Sequence, residues 1–247
     1  GLSTVESAYK HRDRIITEFQ DFFTAGMQKP TGKYNAFVIQ YSNSEAIKDD
    51  LLDWLDNNGI EYGLPDDPRS RSIRGFNYKT GKDESFRLDG KDIIISTAQK
   101  KSVLTYVLFE PKTIYTDSLT YDLTAWSIPY VYGLDAYAVE TPIKIKRNPG
   151  LMKVNKEYIW DKDPYAYVQR WESIHDLKFM TEILKRKIVV RVAEEPFEIN
   201  KLIYNRGSLV ITRKGNEHLG NKFDEIVRKS AIKHNTNLAT VGTGLVT

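Results

Sequence analysis

Catalysis by this chain would have to come from a short roster of side chains. Its imidazoles are His11, His175, His218 and His234, and it has no cysteine. A catalytic zinc site takes three protein ligands and keeps a fourth position open. No His-x-x-x-His pair supplies two of those ligands from one helix face, and the missing thiols remove thiolate ligands, cysteine nucleophiles and disulfides together. Serine chemistry finds no Gly-x-Ser-x-Gly elbow. The glycines of Thr240–Thr247 are not followed by a helix whose amino end could take a phosphate, and Asn77–Lys82 reads as a hairpin turn. Asp53 and Asp56 fall on the outer face of an amphipathic helix, and Glu194 and Glu195 precede Pro196 in a loop. Acid–base work needs a carboxyl perturbed by its surroundings; these read as solvated, and the histidines read as surface groups.

Binding is the more open question. In open α/β sheets, ligands gather at the carboxyl ends of strands. Those ends carry Ser42-Asn-Ser44, Ser96-Thr97, Trp171-Glu-Ser173 and Arg213-Lys-Gly-Asn216, groups that equally serve as helix caps, the preferred reading. A second candidate is Asp117–Tyr137, which concentrates Tyr121, Trp126, Tyr130, Tyr132 and Tyr137 in a run with almost no charge. Such rings stack on sugars or peptides, or fill a core or domain seam, and the seam is preferred. Trp126, Tyr130, Tyr132, Trp171, Arg213 and Asn216 are the residues singled out for a ligand or interface role.

The bulk numbers exclude little else. Lys and Arg total 36 against 33 Asp and Glu, a net charge of +3 over 247 residues, with the signs interspersed. Nucleic-acid binding rests on a concentrated basic face; the nearest approach, Lys144, Lys146, Arg147 and Lys153, flanks Asn148-Pro-Gly150 and reads as a linker. No apolar run nears the roughly 20 residues of a membrane-spanning helix.

The elements that must position these side chains follow from periodicity. Residues 3–26 read as one helix with Val5, Tyr9, Ile15, Ile16, Phe19, Phe22 and Phe23 at helical spacing, ended by Gly26 and Pro30. A helix so apolar on one face wants a partner. Then come a strand (Ala36–Tyr41), a helix with Ile47, Leu51 and Leu55 inward, a strand (Ile60–Tyr62), a hairpin turned near Gly81, a strand (Ile93–Ile95) and a short helix over 99–109. The second half repeats the plan: a strand (Tyr165–Arg170), a helix capped by Ser173 with Leu177, Met180 and Leu184 inward, a strand (Ile188–Ala193), a hairpin from Phe197 to Tyr204, a strand (Leu209–Thr212), a helix with Phe223, Ile226, Val227 and Ala231 inward, and a last strand (Leu238–Val241).

Aligned, Phe37–Tyr41 matches Tyr167–Trp171, Ile60–Tyr62 matches Val189–Arg191, and Asp89–Ser96 matches Arg206–Thr212. The pattern points to internal duplication, against the alternative that strand–helix–strand units look alike in any α/β protein. The expected fold is α/β, with two similar strand-helix-strand-hairpin-strand-helix units forming mostly parallel sheets with antiparallel hairpins. The expected division is a helical linker at 1–33, a first α/β unit at 34–115, an aromatic connecting segment at 116–160 and a second α/β unit at 161–247.

Three stretches resemble large zinc carboxypeptidase-family proteins of Bacteroidetes-type bacteria. They are Tyr9–Phe23, the segment Asp117–Tyr137 preceded by Leu108-Phe-Glu-Pro111, and Arg206–Glu217 with the following helix and Thr243-Gly-Leu-Val246. The resemblance covers nearly the whole chain in order. The family's zinc site uses a His and a Glu three residues apart, a distant His and a separate catalytic Glu. Three residues after the histidines here stand Arg14, Lys178, Asn221 and Asn237, so no catalytic or metal residue is carried over. The resemblance therefore implies a non-catalytic accessory or interaction region. An upstream carboxypeptidase domain would hold the zinc, so no cofactor is expected in this chain. A downstream glutamine-amidotransferase-like domain is a further expected partner, and export to the periplasm or beyond is the expected location. The alternative is a ligand-binding module of periplasmic type, recognising a peptide or glycan between the two halves.

Overall fold

The computed structural model describes residues 1–112, 126–146, 158–199 and 202–243. The chain divides into two compact units, residues 1–43 with 51–153, and residues 44–50 with 154–247.

The first unit opens with two helices, α1 (Leu2–Lys10) and α2 (Arg12–Gln28). Its sheet is built round β1 (Ala36–Ile39), four apolar residues that are all buried. Helix α3 (Glu45–Asn58) follows, then β2 (Leu64–Pro65), the hairpin β3 (Arg71–Asn77) and β4 (Lys82–Leu88), and β5 (Ile93–Ser96). Helices α4 (Ser102–Phe109) and α5 (Ile128–Val131) precede β6 (Ala136–Val139) and β7 (Ile145–Lys146). The five-stranded sheet runs β4-β3-β6-β1-β5. Phe37 lies opposite Ile95 of β5 and Ala138 of β6. Strand alternation sends Ala36 and Val38 to one face, where they join Phe86, Leu88, Ile94, Val139 and Ile143. The Phe37 ring, on the other face, meets Phe109 of α4 at 5.4 Å.

The second unit is built round β8 (Ala166–Gln169). It continues with α6 (Ile174–Lys185), β9 (Arg191–Val192), the hairpin β10 (Phe197–Ile199) and β11 (Leu202–Tyr204), β12 (Leu209–Thr212), α7 (Lys222–Lys233) and β13 (Leu238–Val241). Its four-stranded sheet runs β13-β8-β12-β9. Phe179 and Ile183 of α6 and Phe223, Val227 and Ala231 of α7 pack on Tyr167, Ile211 and Leu238. Tyr167 can be buried because its hydroxyl is satisfied twice: it donates to Asp224 at 2.8 Å and accepts from Arg228 Nε at 2.7 Å.

The expectation of mostly parallel sheets is wrong: every strand pairing described is antiparallel. The reason is an insertion. Strands β8 and β9, joined through α6, do run in the same direction, but β12 lies between them and opposes both. Likewise β12 and β13, joined through α7, flank β8. This is the split β-α-β arrangement. A helical crossover fixes relative direction without making the two strands neighbours. The first unit follows the same order: β5 and β6 flank β1, and Gly63 bridges Ile94 on the far side of β5. In both units a hairpin is inserted between the segment that follows the first crossover helix and the next strand, β3–β4 before β5 and β10–β11 before β12. The alignment of Phe37–Tyr41 with Tyr167–Trp171 places β1 on β8, and Asp89–Ser96 with Arg206–Thr212 places β5 on β12.

Other departures are local. Helix 3–26 is two helices, interrupted at His11 (φ −108°, ψ 14°). Ile60–Tyr62 forms no strand, and Ile188–Ala193 contracts to β9. The segment 116–160 contributes β6 and β7 to the first unit. Its residues 113–125 and 147–157, with Tyr121, Arg147 and Lys153, lie outside the described residues, as do 244–247.

Candidate functional site

Two surfaces stand out, one in each unit. In the first, α1 and α2 leave their apolar side chains uncovered. Leu2, Val5, Tyr9, Ile15, Ile16, Phe19, Phe22 and Met27 are between 45 and 88% exposed. Only the end of α2 is tied down. Gly26 is buried, and a Cβ there would stand 2.8 Å from Ser102 Cβ of α4. Just beyond, Thr31 N–H donates to Ser102 Oγ at 3.0 Å and Lys33 N–H to the Tyr106 hydroxyl at 3.2 Å. Gly32 has φ +81° with the Tyr106 ring pressed against it, so only glycine fits. Phe23 carries the packing outward, with its ring 4.9 Å from Phe19 and 5.2 Å from Phe22, after which the strip is open.

The second surface is a cleft of about 340 Å³ in the second unit. Tyr158, Ile159 and Trp160 supply one wall, Leu202 and Tyr204 of the hairpin another, and Asn237–Ala239 at the start of β13 a third. The residues following β8, Arg170 and Glu172, and the first turn of α6, with Asp176, complete it, together with Ser44. Local capping fixes this end of the sheet. Ser173 caps α6 in a capping box with Asp176. Asp176 accepts from Ser173 N–H at 2.6 Å, Ser173 Oγ–H at 3.0 Å, Glu172 N–H at 2.9 Å and Gln169 Nε2 at 2.6 Å. Four donors leave this carboxylate as a scaffold.

Arg170 is held differently. Its guanidinium lies over the Tyr204 ring at 5.4 Å, and Nη1 is 3.7 Å from Glu172 Oε1, beyond hydrogen-bond reach. Tyr204 in turn stacks on Phe197 at 5.3 Å. Burial raises the Tyr204 phenol above its ordinary pKa, with Arg170 opposing and Glu172 adding to the shift. The Trp160 indole N–H donates to the Leu238 carbonyl at 2.9 Å, which fixes its ring at the cleft wall.

The six residues singled out from the sequence divide between the units. Trp126, Tyr130 and Tyr132 belong to the first. Trp126 is 69% exposed, and the Tyr130 ring meets Tyr78 edge-on at 5.1 Å while its hydroxyl donates to the Pro111 carbonyl at 3.4 Å. Trp171, Arg213 and Asn216 belong to the second. Trp171 is 45% exposed beside the cleft residues Arg170 and Glu172. Arg213 pairs with Asp224 and lies over the Phe223 ring at 5.6 Å. Asn216 is buried, accepts from Val189 N–H at 2.7 Å and donates to the carbonyls of Val189 at 3.0 Å and Thr212 at 2.8 Å. Arg213 and Asn216 thus hold backbone and helix in place.

The histidines do not converge. His175 is 2.8 Å from Asp50 and 3.1 Å from the His234 carbonyl oxygen, and His234 is 2.7 Å from Glu182. Among the described residues no group of three or more His, Asp or Glu side chains is gathered as a ligand set for a metal. No helix among them is long and apolar enough to cross a membrane. Of the cleft residues, Ser44 and the neighbours of Trp171 fall in strand-end groups that the sequence singled out, whereas Tyr158, Tyr204 and Asn237 come from segments that carried no such signal. No protein-family model, curated protein or solved structure matches this chain.

Proposed function

We propose that this chain is a non-catalytic interaction region of a longer, exported zinc-metallocarboxypeptidase polypeptide, and that α1 and α2 dock it onto the catalytic domain. The observation that carries this reading is the uncovered strip. Eight large apolar side chains, 45–88% exposed, present on the order of 1,000 Å² of apolar surface. The largest patch on a typical monomer is roughly 300–600 Å², and a stable interface takes about 800 Å² from each partner. A surface of this size and character is built to be covered. The helix Tyr9–Phe23 is also one of the stretches that resemble the carboxypeptidase proteins, which supports the catalytic domain as the covering partner. In this reading zinc and the catalytic glutamate belong to that domain, and an amidotransferase-like domain follows.

The test is to express the longer natural polypeptide with and without residues 1–247 and assay carboxypeptidase turnover and accepted substrate size. The expected result is altered turnover or a loss of folded catalytic domain when the region is removed. Unchanged activity and unchanged stability would defeat the docking role. A second reading, a ligand-binding module, is favoured by one observation: a cleft at strand ends with aromatic and charged walls, contained within the second unit.

A further inference from the structure

We infer that β4 is a pairing edge for a second copy of this chain, joining two first-unit sheets antiparallel through their β4 strands, in register about Ser85. This goes beyond the docking role of α1 and α2 and does not rest on it. A sheet edge presents N–H and C=O groups that lack ladder partners. The other main-sheet edges are guarded. β5 is bridged on its outer side: Gly63 N–H donates to the Ile94 carbonyl at 2.9 Å, and Ile94 N–H to that of Gly63 at 2.8 Å. β13 is met by the Trp160 indole at the Leu238 carbonyl and by Asp161 N–H at Thr240 Oγ1. β9 is only two residues long. β4 is different. It has seven residues, pairs with β3 on one side and with no other described strand, and keeps unbroken register from Lys82 opposite Asn77 to Leu88 opposite Arg71. It carries no proline, glycine or bulge to turn a partner strand away.

The charges choose the partner. Asp83, Ser85 and Arg87 share one face of β4, and all three are exposed. On that face β3 sets Ser72 opposite Arg87 and Arg74 at the diagonal position, so the neighbouring strand offers Arg87 no carboxylate. Two β4 strands related by a two-fold axis at Ser85 put Asp83 of each opposite Arg87 of the other, and one two-fold makes both pairs. Directly opposed charges of opposite sign favour pairing. Charges on an edge commonly keep partner strands away, but this order, an acid and a base equally spaced about a small central residue, complements its own copy. Moving the axis to Glu84 sets that carboxylate against itself, and moving it to Phe86 opposes Arg87 to Ser85. Charge therefore fixes the register as well as the partner. On the other face Glu84 comes diagonal to its own copy, but it accepts from Asn77 Nδ2 and from Thr80 Oγ1 at 3.3 Å, which hold it toward the hairpin turn.

Sedimentation velocity of the full chain over a concentration series tests this with two variants, Asp83→Arg and Arg87→Asp. The wild type should dimerise reversibly. Each variant alone sets like charges opposite each other at both positions, so its dimerisation should weaken by about tenfold or more. Mixed, the two variants restore both opposed pairs and should associate with each other about as the wild type does with itself. The double variant Asp83→Arg/Arg87→Asp should recover dimerisation on its own, and it replaces the mixture should one single variant not fold. Alternate amides over 82–88 should gain exchange protection as the wild-type dimer forms. A chain that stays monomeric across the series would overturn the assignment and leave the edge to a strand from elsewhere. So would association that neither charge reversal weakens, the result expected if the strip of α1 and α2 joins the copies instead. A mixture, or a double variant, that associates no better than the single variants overturns it as well. These results stand apart from the docking test, because they are read at residues 82–88 in the chain by itself.

Discussion

Replacing Phe19 with alanine should be nearly silent in this chain and costly in the proposed longer polypeptide. Phe19 is 65% exposed, and its ring contact is with Phe23 at 4.9 Å. An edge-to-face aromatic pair contributes about 0.5–1.5 kcal/mol, and alanine recovers part of that through helix propensity. The isolated chain should therefore lose less than about 1 kcal/mol. Covering the exposed part of the ring is different. A phenylalanine buries roughly 150–250 Å², so about 100–150 Å² remains to be buried on docking. At about 25 cal/mol per Å² this amounts to ~3 kcal/mol, or on the order of a hundredfold in the docking equilibrium. Urea unfolding of both forms, wild type and variant, gives the two differences directly. The reasoning fails if Phe19→Ala destabilises the isolated chain by about 2 kcal/mol or more, on the mutational scale of buried rings, since the ring would then already be packed. It also fails if the variant is equally silent in the longer polypeptide.

Gly26→Val should release α2 from α4, because a side chain there meets Ser102 Cβ at 2.8 Å and the Gln99 carbonyl at 3.0 Å; faster amide exchange over 23–33, with the sheet unaffected, is the expected result. Asn216→Ala removes three hydrogen bonds to backbone groups from a buried side chain, so the second unit should lose about 2–4 kcal/mol in chemical unfolding. Ser173→Ala should cost about 1 kcal/mol through the lost cap of α6. Hydrogen bonds from Lys233 and His234 hold the Glu182 carboxyl below its ordinary pKa. Its contribution to stability is therefore complete above the unfolded value of about 4.3 and is lost as pH falls through the lower folded value. Melting curves from pH 6 to 3 should show a shallower acid decline for Glu182→Gln.

The sequence carries those parts of the fold that depend on near neighbours. The Ser173 cap, the inward faces of α3 and α7 and the turn at Gly81 are read from residues within one helix turn or one hairpin; on α6 the spacing picks out Leu177, Met180 and Leu184, but Leu177 and Leu184 are exposed and Phe179 and Ile183 fill the core instead. Strand order is not local. Nothing in the apolar run Leu209–Thr212 says that β12 slips between β8 and β9, and the crossover rule supplies direction alone. Strand β6 was hidden for a related reason: Ala136–Val139 sits inside a tyrosine-rich stretch, and its role appears only in register with Phe37 and Val38. The cleft is harder still. Its residues come from 44, 158–160, 170–176, 202–204 and 237–239, so Arg170 gains meaning only when the hairpin brings Tyr204 beneath it. Asn216 and Arg213 show the reverse: polar residues after a strand, sensible as ligand groups, are consumed by Val189, Thr212 and Asp224.

Hydrogen exchange over residues 2–22 tests the central claim most directly. In this chain the amides of α1 and the first turns of α2 should exchange at the rate of helices without tertiary cover. In the proposed longer polypeptide, carrying the proposed catalytic domain, they should be protected to the level of that domain's core. Equal, fast exchange over 2–22 in both would contradict the account.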